Sequence, residues 1–413
     1  MKEPVRRIGA LVAWAIVLSV LVCIRPLVNP VPNDFLSFCY AGQVAARGGD
    51  PYDPRLLREL AAGDGYQHVY PYLYPPPLAQ LFAVANSACS VLFPRWLSAL
   101  IVATGVLGAL CSTVQRKRQG ANTLQLPLII TAFCVVILPV ENNVALGQVN
   151  LIVVALIALS FMTHLHGHSA TSEALLAPAV LIKVTPILIL AFFAARRSRR
   201  ALVGFLAAAA ALLASSVLWA GVEPWLAYLR HLPSFGYGKD IPGLFAAGTI
   251  FNFSPAGQLA RLCGGGDAWI GPLAAGATLV PLGISSVLAA RCHGPEAEAL
   301  AFSLFPPLMI TAAPLAYVHH VIYLAPSAIV WLTGGCLTGR KLLFCPVLVL
   351  LLVGSFDWPS VYQHFGARAA DVELRAINLY AIAALWVIGC GSIVPHCRRL
   401  QCATDSASTR AGA

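Results

Sequence analysis

Apolar runs of about 16 to 24 residues recur along nearly the whole chain, separated by short polar segments. A run of that length, wound as a helix, matches the hydrocarbon thickness of a bilayer. The pattern predicts full spans at about 8–28, 95–114, 125–140, 148–163, 201–220, 267–290, 297–317, 320–337, 341–356 and 374–394. Two further apolar pieces do not fit as simple spans. The run at 78–93 is followed by Phe93-Pro-Arg-Trp96, and the basic cluster Arg116-Lys-Arg118 stays on the cytoplasmic side only if 78–93 is a short re-entrant or surface helix. The run at 173–195 lies between two segments placed inside, His164-Leu-His-Gly-His168 and Arg196-Arg-Ser-Arg-Arg200. It reads as a helical hairpin broken at Lys183-Val-Thr-Pro186, because proline removes a helix donor and clashes with the preceding turn. The expected fold class is all-α: a polytopic membrane protein of about ten full spans plus two short or re-entrant helices.

The flanking charges set the orientation. Lys2, Arg6 and Arg7 precede the first run, which places the N-terminus in the cytoplasm and the long loops 29–76 and 221–266 outside. Residues 1–400 read as one integral membrane domain and 401–413 as a disordered cytoplasmic tail, with the plasma (inner) membrane as the location and the working side extracytoplasmic. Composition agrees: 58% of residues are hydrophobic and 11% charged, and the net charge of +10 sits mostly in the short clusters that fix orientation. Membrane lipids are therefore expected partners and nucleic acid is not. The twelve cysteines are scattered, most of them inside apolar runs where they fill space. Only Cys39 and Cys263 fall in the two long outer loops, which leaves a bridge between them open.

Polar chemistry is concentrated on the outer side. Asp34 follows the first span within a few residues, beside Phe35, Phe38 and Tyr40. A carboxylate at that low-dielectric boundary acts either as a general base with a raised pKa or as a helix N-cap. Asp50-Pro-Tyr-Asp-Pro54 has the form of a turn with two Asx caps, with Tyr52 free to line a sugar pocket. Tyr70-Pro-Tyr-Leu-Tyr-Pro-Pro-Pro77 ends the first loop, and Tyr74 joins Tyr40 and Tyr52 as a candidate for substrate contact. Lys183, a lone cation at a helix break, calls for an anion such as a lipid phosphate or for snorkelling to an interface. Gln148 and Asn150 in Gly147-Gln-Val-Asn150 either bind a polar ligand or cap the following helix. In the second loop, Asn252-Phe-Ser254 has the form of a glycosylation sequon, and Arg261 suits a phosphate or the headgroups. His319 and His320 stand between two runs on the outer side, placed to bind phosphate or pass protons. His164, His166 and His168 look like a metal tract but lie in a cytoplasmic turn away from the other candidates, and no metal or cofactor is assigned.

Taken in order, Asp34 after the first span, Tyr40-Ala-Gly42, the Gly49 to Pro54 turn, Tyr74-Pro-Pro, Gly147-Gln-Val-Asn150, Lys183-Val-Thr-Pro186, Asn252-Phe-Ser254 and Pro314 through His320 resemble glycosyltransferase family 87. The resemblance covers about 30 to 325. It implies the GT-C fold and transfer of mannose from a polyprenyl-phosphate donor to a glycolipid or glycan acceptor, with inversion. It further implies Asp34 as the catalytic base and His319 or His320 near the donor phosphate, where Lys183 and Arg261 would add charge; Tyr40, Tyr52, Tyr74, Gln148, Asn150, Asn252 and Ser254 would contact substrate. Ala316-Tyr317 departs from the Ser-Trp pair expected before the histidines, and the third outer loop is short, which bears on acceptor choice. Two alternatives stay open: a transporter of polyprenyl-linked sugar or polysaccharide, which predicts an internal repeat that the chain does not display, and the same fold with a pentosyl donor.

Overall fold

The computed structural model describes residues 33–85, 87–97, 139–140, 142–249, 251–265, 268–333 and 376–411, together with 99, 100, 103 and 347. All regular structure among them is helical. The predicted span at 8–28, and nearly all of those at 95–114, 125–140 and 341–356, lie outside the described residues.

Three described helices are long and apolar enough to cross a membrane: Arg199–Ala220, Ile270–Arg291 and Ile377–Val394. They fall on the spans read at 201–220, 267–290 and 374–394. Val203, Leu206, Leu218, Leu273, Leu279 and Val280 are exposed on the first two, the state expected of helices whose apolar faces are turned to lipid. The helix at 377 runs on through Ala411, so residues 401–411 are helical and not an irregular tail. No glycine or proline interrupts the chain between Pro395 and Gly412.

The remaining helices are short and broken. Pro76–Ala85 and Cys89–Leu97 meet at a bend of 113°, which fits a re-entrant or broken element in place of a straight span. Ser169–Ile182 ends where Lys183 turns extended (φ −149°, ψ 128°), and a 3-10 turn at Thr185–Ile189 leads into Leu190–Ala195. The break thus falls at the predicted Lys183-Val-Thr-Pro186. The span read at 297–317 is corrected: it divides into Pro295–Phe302 and Pro306–Thr311 and is non-helical from Ala313 to Tyr317. Pro306 and Pro307 bring no backbone donors, so they can open a new helix but not continue an old one. The run at 320–337 likewise begins as a 3-10 turn, Val318–Leu324, before Ala325–Thr333.

Packing follows from small residues and rings. Asn33–Ala46 lies so close against Pro76–Ala85 that a Cβ on Gly42 would stand 2.4 Å from the Phe82 Cβ, a contact only glycine permits. Phe161 stacks on Phe302 with ring centroids 3.9 Å apart, and Phe192, Phe193 and Phe305 complete that buried cluster. Cys39 is bonded to Cys89, which closes the Cys39–Cys263 pairing left open by the sequence; Cys263 is a free, exposed thiol. The bridge ties the Asn33–Ala46 helix to the 113° bend.

Candidate active site

Two polar centres face each other at the ends of these broken helices. The first is Asp34, half-buried in the opening turn of Asn33–Ala46. Its Oδ2 accepts a hydrogen bond of 2.8 Å from Gln148 Nε2, and Gln148 Oε1 in turn accepts one of 3.0 Å from the Tyr74 hydroxyl. An ionised carboxylate can only accept, so the amide must present its N–H₂ to Asp34, and Tyr74 holds that orientation by donating to the other end. Loss of hydration pushes the Asp34 pKa up to about 6, against the lowering pull of the Gln148 hydrogen bond and the Lys183 charge. A carboxylate titrating near neutrality suits a general base for a hydroxyl.

Gln148 reaches Asp34 because Gly147 adopts φ 65°, a left-handed conformation, and packs against Phe35. Trp96 fixes the same turn by donating from Nε1 to the Gly147 carbonyl at 2.8 Å.

The second centre is Lys183. Its Nζ donates to Asn150 Oδ1 at 2.8 Å, lies 2.9 Å from His320 Nε2, and stands 5.6 Å from the ring centroids of both Tyr74 and Tyr323. Tyr323 also donates to Asn150 Oδ1, at 2.6 Å. His320 Nδ1 accepts from the Tyr317 backbone N–H at 3.0 Å, which leaves the proton of the neutral ring on Nε2. Lys183 Nζ and that Nε2–H share one contact, and an anion seated beside it can accept from both groups. Asn150 Nδ2 is buried beside them without a hydrogen-bond partner among the described residues and is a further donor.

The structure brings Asp34, Tyr74, Gln148, Asn150, Lys183 and His320 into one network. His319 is adjacent, its ring centroid 4.3 Å from that of His320, and its carbonyl accepts from Asn143 at 2.7 Å. The other candidates stand back from this network. Tyr40 is buried and donates to Asp64 at 3.0 Å. Tyr52 donates to the Tyr74 carbonyl at 2.8 Å and is packed among Tyr72, Tyr228 and His231, so it supports Tyr74 from behind. Asn252 Oδ1 accepts from the backbone of Ser254 and Ala316, and its Nδ2 donates to Ala247 and Pro314 carbonyls. Ser254 caps the helix Pro255–Cys263 and donates to the Pro314 carbonyl at 3.0 Å. Together they anchor the 314–317 segment that delivers Tyr317, His319 and His320. Arg261 donates to the Thr249 and Asn252 carbonyls at 2.6 Å each, bracing the same loop. Tyr317 and Tyr323 were not among the sequence candidates; a hydroxylated aromatic three residues either side of His320 was the available signal.

Comparison with known proteins bears directly on this arrangement. Residues 72–314 match the profile of Glycosyltransferase family 87, more than half of the chain. The chain belongs to that family. It is 28% identical over 279 residues to the polyprenol-phosphate-mannose-dependent alpha-(1-2)-phosphatidylinositol mannoside mannosyltransferase of Mycobacterium tuberculosis (strain ATCC 25618 / H37Rv). That alignment takes in 63% of this chain and 61% of the relative, so the chain spans about three-fifths of the length of the protein it matches. No solved structure matches. Within the family 87 match lie Tyr74, Gln148, Asn150, Lys183, Asn252, Ser254 and Arg261, whereas Asp34 lies well before its start and the two histidines just after its end, and they join it through the contacts above. The polar network of this family 87 protein is therefore built from both the matched region and its flanks.

Proposed function

We propose that this family 87 protein transfers a mannosyl unit from a polyprenyl-phosphate donor to a hydroxyl of a glycolipid or glycan acceptor at the outer face of the plasma membrane, with inversion. One observation carries the reading: a carboxylate titrating near neutrality and a cluster of N–H donors suited to an anion are held in a single network through Gln148 and Tyr74. Asp34 accepts the acceptor proton while the acceptor oxygen forms its bond to the anomeric carbon. The bond from that carbon to the phosphate oxygen breaks, and the electron pair leaves with the polyprenyl phosphate. Charge growing on the phosphate is met by Lys183, His320 Nε2–H and Asn150 Nδ2–H₂, donors already in place when it appears. Attack opposite the leaving group turns a β-linked donor into an α-linked product, in keeping with the linkage in the relative's name.

The outer face is supported by two features. The Cys39–Cys89 bond, five residues along the helix from Asp34, belongs in an oxidising compartment. Arg196, Arg197, Arg199 and Arg200 lie at the far end of the Thr185–Ala195 segment from Lys183, where the positive-inside bias puts the cytoplasm.

The test compares wild type, Asp34→Asn and Lys183→Met in membranes at matched protein levels, with labelled polyprenyl-phosphate mannose and host lipid extract. Transfer by wild type and loss in both variants is expected, and the labelled product names the acceptor. Full activity in Asp34→Asn would remove the base assignment. Transfer from a polyprenyl-phosphate pentose but not from the mannose donor would replace the sugar, and unaltered donor crossing the bilayer would replace the enzyme with a transporter.

A further inference from the structure

A row of aromatic rings leads away from Asp34 along the outer loops, and the reaction above makes no use of it. Tyr70 starts it. Its hydroxyl is hydrogen-bonded to the side chain of Asn33, the neighbour of Asp34, and both Asp34 and Tyr317 are close enough to act on it electrostatically. The exposed His68 ring stands edge-on to Tyr70 at 5.6 Å, Phe245 follows Tyr70 at 6.2 Å, and Phe251 follows Phe245 at 5.6 Å. Phe245 and Phe251 are 46% and 44% exposed, unusual for phenylalanine in a segment so firmly held. Asp240 Oδ1 accepts from the Ala247 backbone at 2.7 Å, Asn252 donates to the Ala247 carbonyl, and Arg261 grips the Thr249 and Asn252 carbonyls. Both rings are therefore presented by a braced loop. At the Asp34 end, the Tyr317 hydroxyl is buried without a hydrogen-bond partner among the described residues.

We propose that Tyr70, Phe245 and Phe251, with His68 and the Tyr317 hydroxyl, form an acceptor subsite that binds a glycan of two or more sugar units, the terminal one at Asp34 and the others along the row. This rests on the transfer reading above and names the acceptor class that it leaves open. Sugar rings offer a face of C–H bonds bearing slight positive charge, which is attracted to the negative face of an aromatic ring. Hydroxyls around the sugar rim need donors and acceptors, and Tyr70, His68 and Tyr317 supply them between the apolar faces. A lipid tail would have no use for those polar groups. Continuity with the carboxylate that would deprotonate the acceptor marks the row as acceptor ground, while the lipid phosphate belongs with Lys183 on the other side of Gln148.

Binding can be measured apart from turnover. Purified protein carrying Asp34→Asn, which holds the site without consuming it, is titrated in nanodiscs with linear mannotriose and with methyl α-mannoside, followed by saturation-transfer NMR. The trisaccharide should bind more tightly than the single sugar. Phe245→Ala and Phe251→Ala should each weaken it about fivefold, the worth of one ring contact, and leave methyl α-mannoside unchanged. Phe245→Trp should retain trisaccharide binding, which a merely unfolded loop would not. Equal affinity for the two sugars, or trisaccharide binding indifferent to both alanine variants, overturns the proposal. So does brominated-lipid quenching of Phe245→Trp beyond that of the parent protein, whose eight native tryptophans set the background, because the added quenching would turn the row toward the bilayer. Failure of mannosyl transfer by the wild-type protein, with trisaccharide binding intact, would instead remove the donor reading and leave the subsite standing.

Discussion

Gln148 offers the sharpest test of how the proposed base, Asp34, is tuned. Replacing it with methionine keeps the volume of a residue that is 5% exposed and removes the N–H₂ that donates to Asp34 Oδ2. A hydrogen bond to a charged group contributes about 1.5 to 3 kcal/mol, and about 1.4 kcal/mol corresponds to one pKa unit. The site is half-open, and water entering it recovers part of the loss, so a rise of about one unit is the reasonable expectation. Asp34 sits at about 6 because desolvation outweighs this bond and the Lys183 charge; without the bond its pKa moves to about 7. The base works only when ionised, so the acid limb of kcat/KM should shift upward by about one pH unit. Near pH 6 the variant should be about fivefold slower than wild type for this reason alone. In alkaline buffer that part of the deficit should vanish. Tyr74→Phe, which frees the amide to rotate, should move the limb the same way by less. The assay is a pH profile of transfer with polyprenyl-phosphate mannose. A uniform loss at every pH with an unmoved acid limb would refute the argument, since it would show that Gln148 does not act through the ionisation of Asp34.

Three other outcomes follow from the geometry. Asp34→Asn should raise Tm at neutral pH: with the folded pKa lifted from 3.8 to about 6, ionisation costs the wild-type fold stability as pH rises through that window, and the difference should close below 3.8. Gly147→Ala should both destabilise the protein by about 1 to 3 kcal/mol and reduce transfer, because φ is 65° and the new Cβ would stand 2.6 Å from the Phe35 Cβ; wild-type Tm and rate would contradict it. Cys39→Ser with Cys89→Ser should lower stability by about 2 to 4 kcal/mol, as expected for a bond closing a 50-residue separation, and an unchanged thermal shift would show the bridge to be idle.

Much of the scaffold was legible because its signals are local. Length and hydropathy identify Arg199–Ala220, Ile270–Arg291 and Ile377–Val394, and a lysine followed by Val-Thr-Pro marks the break at 183. Asp50 and Asp53 cap as their turn implies, accepting from the backbone of Tyr52 and Arg55 at 2.9 and 2.8 Å. Long-range choices were not legible. Cys89 sits in an apolar stretch with no local sign of a partner, and only the fold of Asn33–Ala46 onto the 113° bend brings it to Cys39. Arg261, Asn252 and Ser254 illustrate a chemical ambiguity: the donors that suit a phosphate also suit backbone carbonyls, and the loop around Ala247 and Pro314 supplies carbonyls close by. Gln148 posed the same ambiguity and resolved toward a third role, gripping the carboxylate.

What unites the site is that each of its groups stands at an interruption of a helix. Asp34 opens one helix, Gln148 follows the left-handed Gly147, Lys183 occupies an extended residue between two helices, and His319 and His320 begin a 3-10 turn after the non-helical Ala313 to Tyr317. An interruption at membrane depth frees backbone donors and acceptors that lipid cannot satisfy, so it survives only where protein or a polar ligand meets it. Several of those groups are met within the site: the Gly147 carbonyl by Trp96, the His319 carbonyl by Asn143 and the Tyr317 N–H by His320. The residues that repair the breaks thus also help to orient the proposed base and the donors proposed to meet the phosphate. Removing one should disturb fold and chemistry together, whereas Asp34 and Lys183, which impose charge on this network without closing a backbone gap, should be replaceable at little cost to folding and at full cost to transfer.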